Sequence, residues 1–377
     1  MAGKYEHLIK PLSIGLRNWE EKKNGQSQAG ASVVGPGNAK KEIWLNGRDH
    51  LEELHFNLSW GVHNSVGDWH ANGKPHTHSQ PECLFFVGLD TANVNYLGAE
   101  VECCLGSEKE TYTFNEPTVV LAPAGFPHGP ISTKRLFSPK GFGFFAAGLS
   151  AAPDLAWWEE KTASAEPVQA TGKYAHLVKS LKPGVVMERG KFKFNPSRFT
   201  LEKWESAIDR LQTLKSSGRI AALWEAKGEE MEKKSGLGPG PGHPDHLTWM
   251  YGNDLGGMNA NIAWGFCSQP GIWQRGVAHF HPADELMIFL GTDPNSDDLG
   301  AEIEIDLGEE HERHLFDKSS AVICPAGLPH APIVTRWVDR PFAFLLFNLA
   351  ADLTLSSEEC LRYQPGKNGS DFVQEEN

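Results

Sequence analysis

At 377 residues the chain exceeds the usual size of a single hydrophobic core, so two domains are expected, with one large domain as the competitor. Its 40% hydrophobic and 22% charged residues exclude the disordered and fibrous classes, and a net charge of -13 with a pI near 5.7 opposes non-specific attraction to DNA, RNA or anionic lipid. Six cysteines, among them the adjacent Cys103 and Cys104, are too sparse for a disulfide scaffold and read as reduced, buried thiols.

In chain order, the opening MAGKYEHLIKPL has no apolar core of signal-peptide length, so a cytoplasmic address is the expectation. Short apolar runs broken by Gly, Pro, Asn and Asp follow: LFFVGLD (84–90), AEVECCLG (99–106) and TVVLAPAG (118–125) all read as strands. The longest apolar stretch, 142–158, carries Pro153 and Asp154 and falls short of the ~18 apolar residues a membrane span requires. Pro167 to Gly172 makes a domain boundary, giving domains at 1–166 and 167–377. Behind Asn195-Pro196-Ser197, the residues Leu201, Trp204, Ile208, Leu211 and Leu214 recur at helical spacing and GLGPGPGHP exits, which predicts a helical insertion over about 195–245. Strands resume with ELMIFLGT (285–292) and AVICPAG (321–327), and the tail after about 356, rich in Glu, Asn, Gly and Ser, is expected to be weakly ordered. Two similar β-barrels in tandem are the predicted architecture, an all-β fold apart from the insertion.

The two halves repeat one another. NYLGAEVECCLG (95–106) answers to DDLGAEIEIDLG (297–308), and LAPAGFPHGPI (121–131) to ICPAGLPHAPI (323–333), both at an offset of 202. The stretch HTHSQPE pairs with HFHPADE at 203, and NLSWGVHNSVGDW pairs with NIAWGFCSQPGIW at 204. By contrast GKYEHLIK (3–10) matches GKYAHLVK (172–179) at only 169, which places an insertion of about 35 residues (204 minus 169) in the second copy.

Chemistry concentrates in the repeated positions. Alternate residues of a strand share a face, so His76 and His78 project together, and Glu82 shares their parity if the strand runs on. The PAGFPH turn presents His128 as a fourth donor, and the second copy repeats the set as His279, His281, Glu285 and His330. Imidazole nitrogens with one carboxylate suit Fe(II), Mn(II), Ni(II), Zn(II) or Co(II). A lone HxH is more often a hydrogen-bonded strand histidine than a ligand; two complete copies favour metal. Lys74 and Arg275, in phase with the ligand pairs, are candidates for binding a substrate anion, against the plain reading of solvated mouth residues. Among His55, His63 and His70, one is a candidate proton carrier; Cys267 aligns with His63, so the two sites are not identical. Tyr5, His7, Tyr174 and His176 recur with the domains and read as structural, and Trp60, Trp69, Trp264 and Trp273 as core or mouth walls.

These motifs resemble the cupin superfamily, specifically its two-domain bicupins, in which HxH followed by Glu and then PxGxxH supply three histidines and a glutamate to a metal inside a jelly-roll (double-stranded β-helix) barrel. His76, His78, Glu82 and His128 match those positions, as do His279, His281, Glu285 and His330. The glycine that leads the first motif in the family falls near His70, and the asparagine that trails the second is Ser132 or Val334 here. The resemblance implies up to two divalent metals per chain, Fe(II) or Mn(II) favoured, and a small anionic, chelating substrate, with an Fe(II)-type dioxygenase using O2 as the first expectation. The same ligand set implies, as alternatives, a Mn(II) decarboxylase of the oxalate decarboxylase kind, an isomerase or lyase, or a non-catalytic bicupin. Glu82 and Glu285 count against the gentisate type, and no clear counterpart of the decarboxylase's short acidic lid stands beside either site. Homo-oligomers are a family expectation; nucleic acid and membrane are not expected partners.

Overall fold

The computed structural model describes residues 3–12, 16–18, 34–39, 41–93, 95–152, 154, 156–157, 167–181, 185–188, 242–250, 252, 254–273, 279–280, 283–293, 295–350 and 361–362. These fall into two compact units, Ser13–Pro183 and a second made of Met1–Leu12 with Gly184–Asn377. The expected boundary at 166/167 therefore lies within the first unit, and the first twelve residues belong to the second.

In the N-terminal unit one sheet runs in the order Val178–Ser180, Thr118–Ala122, Glu82–Gly88, Phe142–Gly148, Asn57–His63, Lys41–Asn46, Leu16–Asn18. The other runs Ala156–Trp157, His76–Thr77, His128–Leu136, Ala99–Leu105, Glu110–Phe114, Val168–Gln169. The first sheet is apolar on both faces because its central strands carry continuous rather than alternating hydrophobic runs. On the face that Glu82 shares, Phe86 packs against Phe114, Phe144 and Trp69 at ring separations of 4.9, 5.1 and 5.9 Å. On the opposite face Phe85 stacks on Phe145 at 4.5 Å. The C-terminal unit repeats this: Phe289 meets Phe316, Phe344 and Trp273 at 5.2, 5.3 and 5.8 Å. Each of these aromatic cores also anchors its indole N–H, which donates to a threonine hydroxyl: Trp69 to Thr133 at 2.9 Å and Trp273 to Thr335 at 2.7 Å.

The repeat that kept the wrong offset has a structural explanation. GKYAHLVK closes the N-terminal unit, with Val178–Ser180 pairing antiparallel to Thr118–Ala122, while GKYEHLIK pairs its strand Ile9–Pro11 with Ser320–Cys324 of the C-terminal unit. Each copy of the arm thus completes the barrel of the other copy. Both arms carry a single 3-10 turn, Glu6–Leu8 and Ala175–Leu177, and both tyrosines donate to a turn glutamate at 2.9 Å: Tyr5 to Glu310, Tyr174 to Glu108. The rings lie so close to Gly308 and Gly106 that a Cβ would sit 2.1 and 2.4 Å from them, and both glycines also hold positive φ (73° and 76°).

The five runs read as strands from sequence are all strands: Glu82–Gly88, Ala99–Leu105, Thr118–Ala122, Glu285–Gly291 and Ser320–Cys324. The predicted helical insertion lies outside the described residues through residue 241. Its last four residues, 242–245, are turn and bend leading into the strand His246–Met250, and no α-helix occurs among the described residues. No helix there is long and apolar enough to cross a membrane. The tail after about 356 also lies outside them, except for the two-residue strand Leu361–Arg362.

Candidate metal centre

The first predicted tetrad converges. Donor atoms of His76, His78, Glu82 and His128 all lie within 4.8 Å of one another. The route differs from a single long strand, however. His76–Thr77 is a two-residue strand in one sheet, and Glu82 opens the strand Glu82–Gly88 in the other. A turn at residues 78–81 therefore carries the chain from sheet to sheet, and the ligands meet across the barrel rather than along one strand face. His128 enters from the sheet of His76, in register with it, their rings 4.3 Å apart. The PAGFPH turn delivers it: Phe126 N–H bonds back to the Pro123 carbonyl at 2.9 Å, Gly125 takes φ 71°, and the Gly125 N–H donates to the His78 carbonyl at 2.8 Å. Both ligand segments are tied together by that last bond.

Ring orientation follows from the outer nitrogens. His128 Nδ1 lies 2.9 Å from the Phe126 carbonyl and His78 Nδ1 meets the Asp154 carbonyl; a carbonyl only accepts, so in both rings Nδ1 carries a hydrogen, and Nε2 is the ring atom left to meet a cation once it gives up any proton. Those two Nε2 atoms face Glu82 Oε2 at 3.2 Å for His78 and 3.3 Å for His128. The Asp154 carboxylate also accepts from the Ser79 N–H at 3.1 Å, which fixes the turn between ligands. Burial opposes charge on Glu82, yet its bonds to His128 and His78 hold the carboxyl well below its usual range. For His78 burial again opposes charge and is outweighed by Glu82, so its pKa is raised, whereas burial lowers His76. A largely sheltered carboxylate faced by imidazole Nε2 atoms fits a divalent cation.

In the C-terminal unit, His279 pairs in register with His330 as His76 does with His128. His330 Nδ1 lies 3.0 Å from the Leu328 carbonyl and its Nε2 is 3.4 Å from Glu285 Oε1. Of the remaining predicted residues, His279 is described only as backbone, and His281 and Arg275 lie outside the described residues. Lys74 is exposed, two residues ahead of the short strand His76–Thr77.

Both units carry a double-sheet β fold, and the N-terminal one gathers the full predicted ligand set. No family model matches the chain, and no curated protein matches it by sequence. Among solved structures, oxalate decarboxylase from Bacillus subtilis at pH 4.6 aligns with TM-score 0.46 and 8% identity over 85% of this chain and 74% of that one. The R92A mutant of the same enzyme gives TM-score 0.47 and 8% identity over 91% and 79%. A structure of that enzyme from an EPR assignment of its Mn(II) centres gives 0.45 and 9% over 87% and 77%.

Two residues near the first site carry more than their sequence context announced. Asp154 braces His78 although it sits in a stretch notable mainly for being too short to span a membrane. His63 is wholly buried, stacked on Trp69 at 3.7 Å with Nδ1 3.0 Å from the Gly37 carbonyl, so it is a core residue; burial pushes its pKa down to about 3. The ring of His70 lies 5.9 Å from that of His76.

Proposed function

We propose that this bicupin is a metal-dependent enzyme acting on a small, anionic, oxygen-chelating organic acid. The supporting observation is the closed arrangement of three imidazoles and one carboxylate in the N-terminal barrel. His76, His78, Glu82 and His128 would hold the first cation, and His279, His281, Glu285 and His330 the second. One carboxylate against a dication leaves a charge of about +1 for an anionic ligand, and four protein donors leave room on a six-coordinate ion. A bound Fe(II) or Mn(II) supplies Lewis acidity and one-electron chemistry at that point.

The chain's own residues do the rest. Asp154 and Phe126 hold the His78 and His128 rings in the tautomer that faces the cation. His70, which burial biases toward the neutral form, stands beside His76 as the group to accept or return a proton. Lys74 in the first unit and Arg275 in the second are the cations assigned to attract the substrate carboxylate.

Two reactions share this binding step. Dioxygenation would consume O2 and place oxygen on the substrate. Decarboxylation would break one C–C bond, release CO2 and put a proton in its place. Fe- and Mn-loaded protein offered a panel of keto-, hydroxy- and dicarboxylic acids, with oxalate included because the structural neighbours are named for it, separates them by oxygen uptake and CO2 release. Tight binding of acids without turnover of any would instead support a non-catalytic bicupin.

A further inference from the structure

The row of the C-terminal sheet that holds Glu285 reads Asn261, Asn348, Glu285, Cys324 across four paired strands; the matching N-terminal row is Asn57, Gly148, Glu82, Ala122. Residues directly paired on antiparallel strands share a face, with Cβ atoms about 4.5–5.5 Å apart. Glu285 points inward, since its Oε1 meets His330 on the opposite sheet at 3.4 Å. Asn348 and Cys324 therefore point inward too, one on each side of the glutamate. The N-terminal centre has a hydrogen and a methyl group at those two places.

Both side chains are buried, Asn348 at 0% exposure and Cys324 at 1%, and Cys324 lies within hydrogen-bonding reach of the His330 ring. Neither amide atom of Asn348, Oδ1 or Nδ2, has a hydrogen-bond partner among the described residues. A carboxamide buried without partners is unfavourable, so a chain that keeps one facing a ligand cluster has a use for it there. Thiol sulfur is a soft donor and selects for Zn(II)-like cations, whereas carboxylate and imidazole alone are compatible with Mn(II) and Fe(II).

We propose that Cys324 and Asn348 are donors of the C-terminal centre, which thereby takes a softer divalent cation, of the Zn(II) or Co(II) class, than the all-nitrogen-and-oxygen N-terminal centre. The inference rests on the reading of His279, His281, Glu285 and His330 as a metal site. It predicts a centre whose charge a thiolate neutralises, and so two centres in one chain with different metals and different affinity for anions.

The test uses the full chain with His78→Ala to disable the N-terminal centre, loaded with Co(II). The expected result is about one cobalt per chain and a near-ultraviolet sulfur-to-cobalt charge-transfer band. Cys324→Ala, the residue the N-terminal copy carries, should abolish the band, and Cys267→Ala, at the position that answers to His63, should leave it. Cys324→Ala and Asn348→Gly together should lower the preference for Zn(II) over Mn(II) by about 10–100-fold. Bound cobalt without the band, or a band that survives Cys324→Ala, overturns the inference while leaving the metal site standing. A His78→Ala chain that binds no cobalt overturns the C-terminal metal site itself, and the inference with it.

Discussion

Replacing His63 by cysteine, the residue the second copy carries as Cys267, should flatten the acid sensitivity of the N-terminal unit. His63 is fully buried between Trp69, Phe142 and Phe144, at 3.7, 5.5 and 5.6 Å. Burial moves its pKa from an ordinary 6.5 down to about 3. The unfolded chain therefore binds a proton near pH 6.5 that the folded chain refuses until about pH 3. Stability contributed by the neutral ring is present in full above pH 6.5 and is lost as pH falls through that window. At 1.36 kcal/mol per unit, the loss is about 2 kcal/mol at pH 5 and about 5 kcal/mol at pH 3 and below. Groups distant from His63 contribute equally to both proteins, so the difference between their pH profiles reports His63 together with its coupling to His70. Urea denaturation at pH 7 and pH 5 gives the comparison: wild type should lose about 2 kcal/mol more than His63→Cys. Equal losses in the two proteins would refute the assignment of His63 as a neutral core residue.

Removing one hydroxyl by Thr133→Val keeps the shape of the side chain but strands the Trp69 indole N–H in the core; a loss of about 1–3 kcal/mol in denaturation is expected, and no change would contradict the buried bond. Leu12 ends the exchanged arm at 1% exposure, its N–H bonded to Ser319 O at 2.9 Å. Leu12→Ala should cost about 2–5 kcal/mol, and protease sensitivity should increase at sites in the second half rather than the first. Because the His78 ring is raised in pKa by Glu82 and must lose its proton to bind a cation, Mn(II) affinity measured by titration should rise with pH across about pH 5 to 8 and then level. An affinity that is flat or falls with pH would count against His78 as a ligand.

Much of this molecule is legible in its sequence because it was written twice. The turn residues Pro123, Gly125 and His128, repeated as Pro325, Gly327 and His330, identify a ligand-delivering turn without any structure. The strands were visible for the usual reason, continuous apolar runs between turn residues. What sequence periodicity could not give was the path between His78 and Glu82. Strand parity predicts that they share a face, and they do meet, but through a change of sheet that no local pattern encodes. The arm exchange was present only as an odd offset, 169 against 204, and pairing partners more than 300 residues apart, such as Lys10 and Ala321, leave no local trace. Asp154 was missed because its contribution to His78 is a backbone carbonyl, a group every residue has. Asn348 and Cys324 become notable only when register sets them beside Glu285.

Whether His76, His78, Glu82 and His128 hold a divalent cation is decided by elemental analysis of Mn-equilibrated wild type and His128→Ala, both confirmed folded by circular dichroism. The variant should lose about one metal ion per chain. Identical metal content in the two proteins would contradict it.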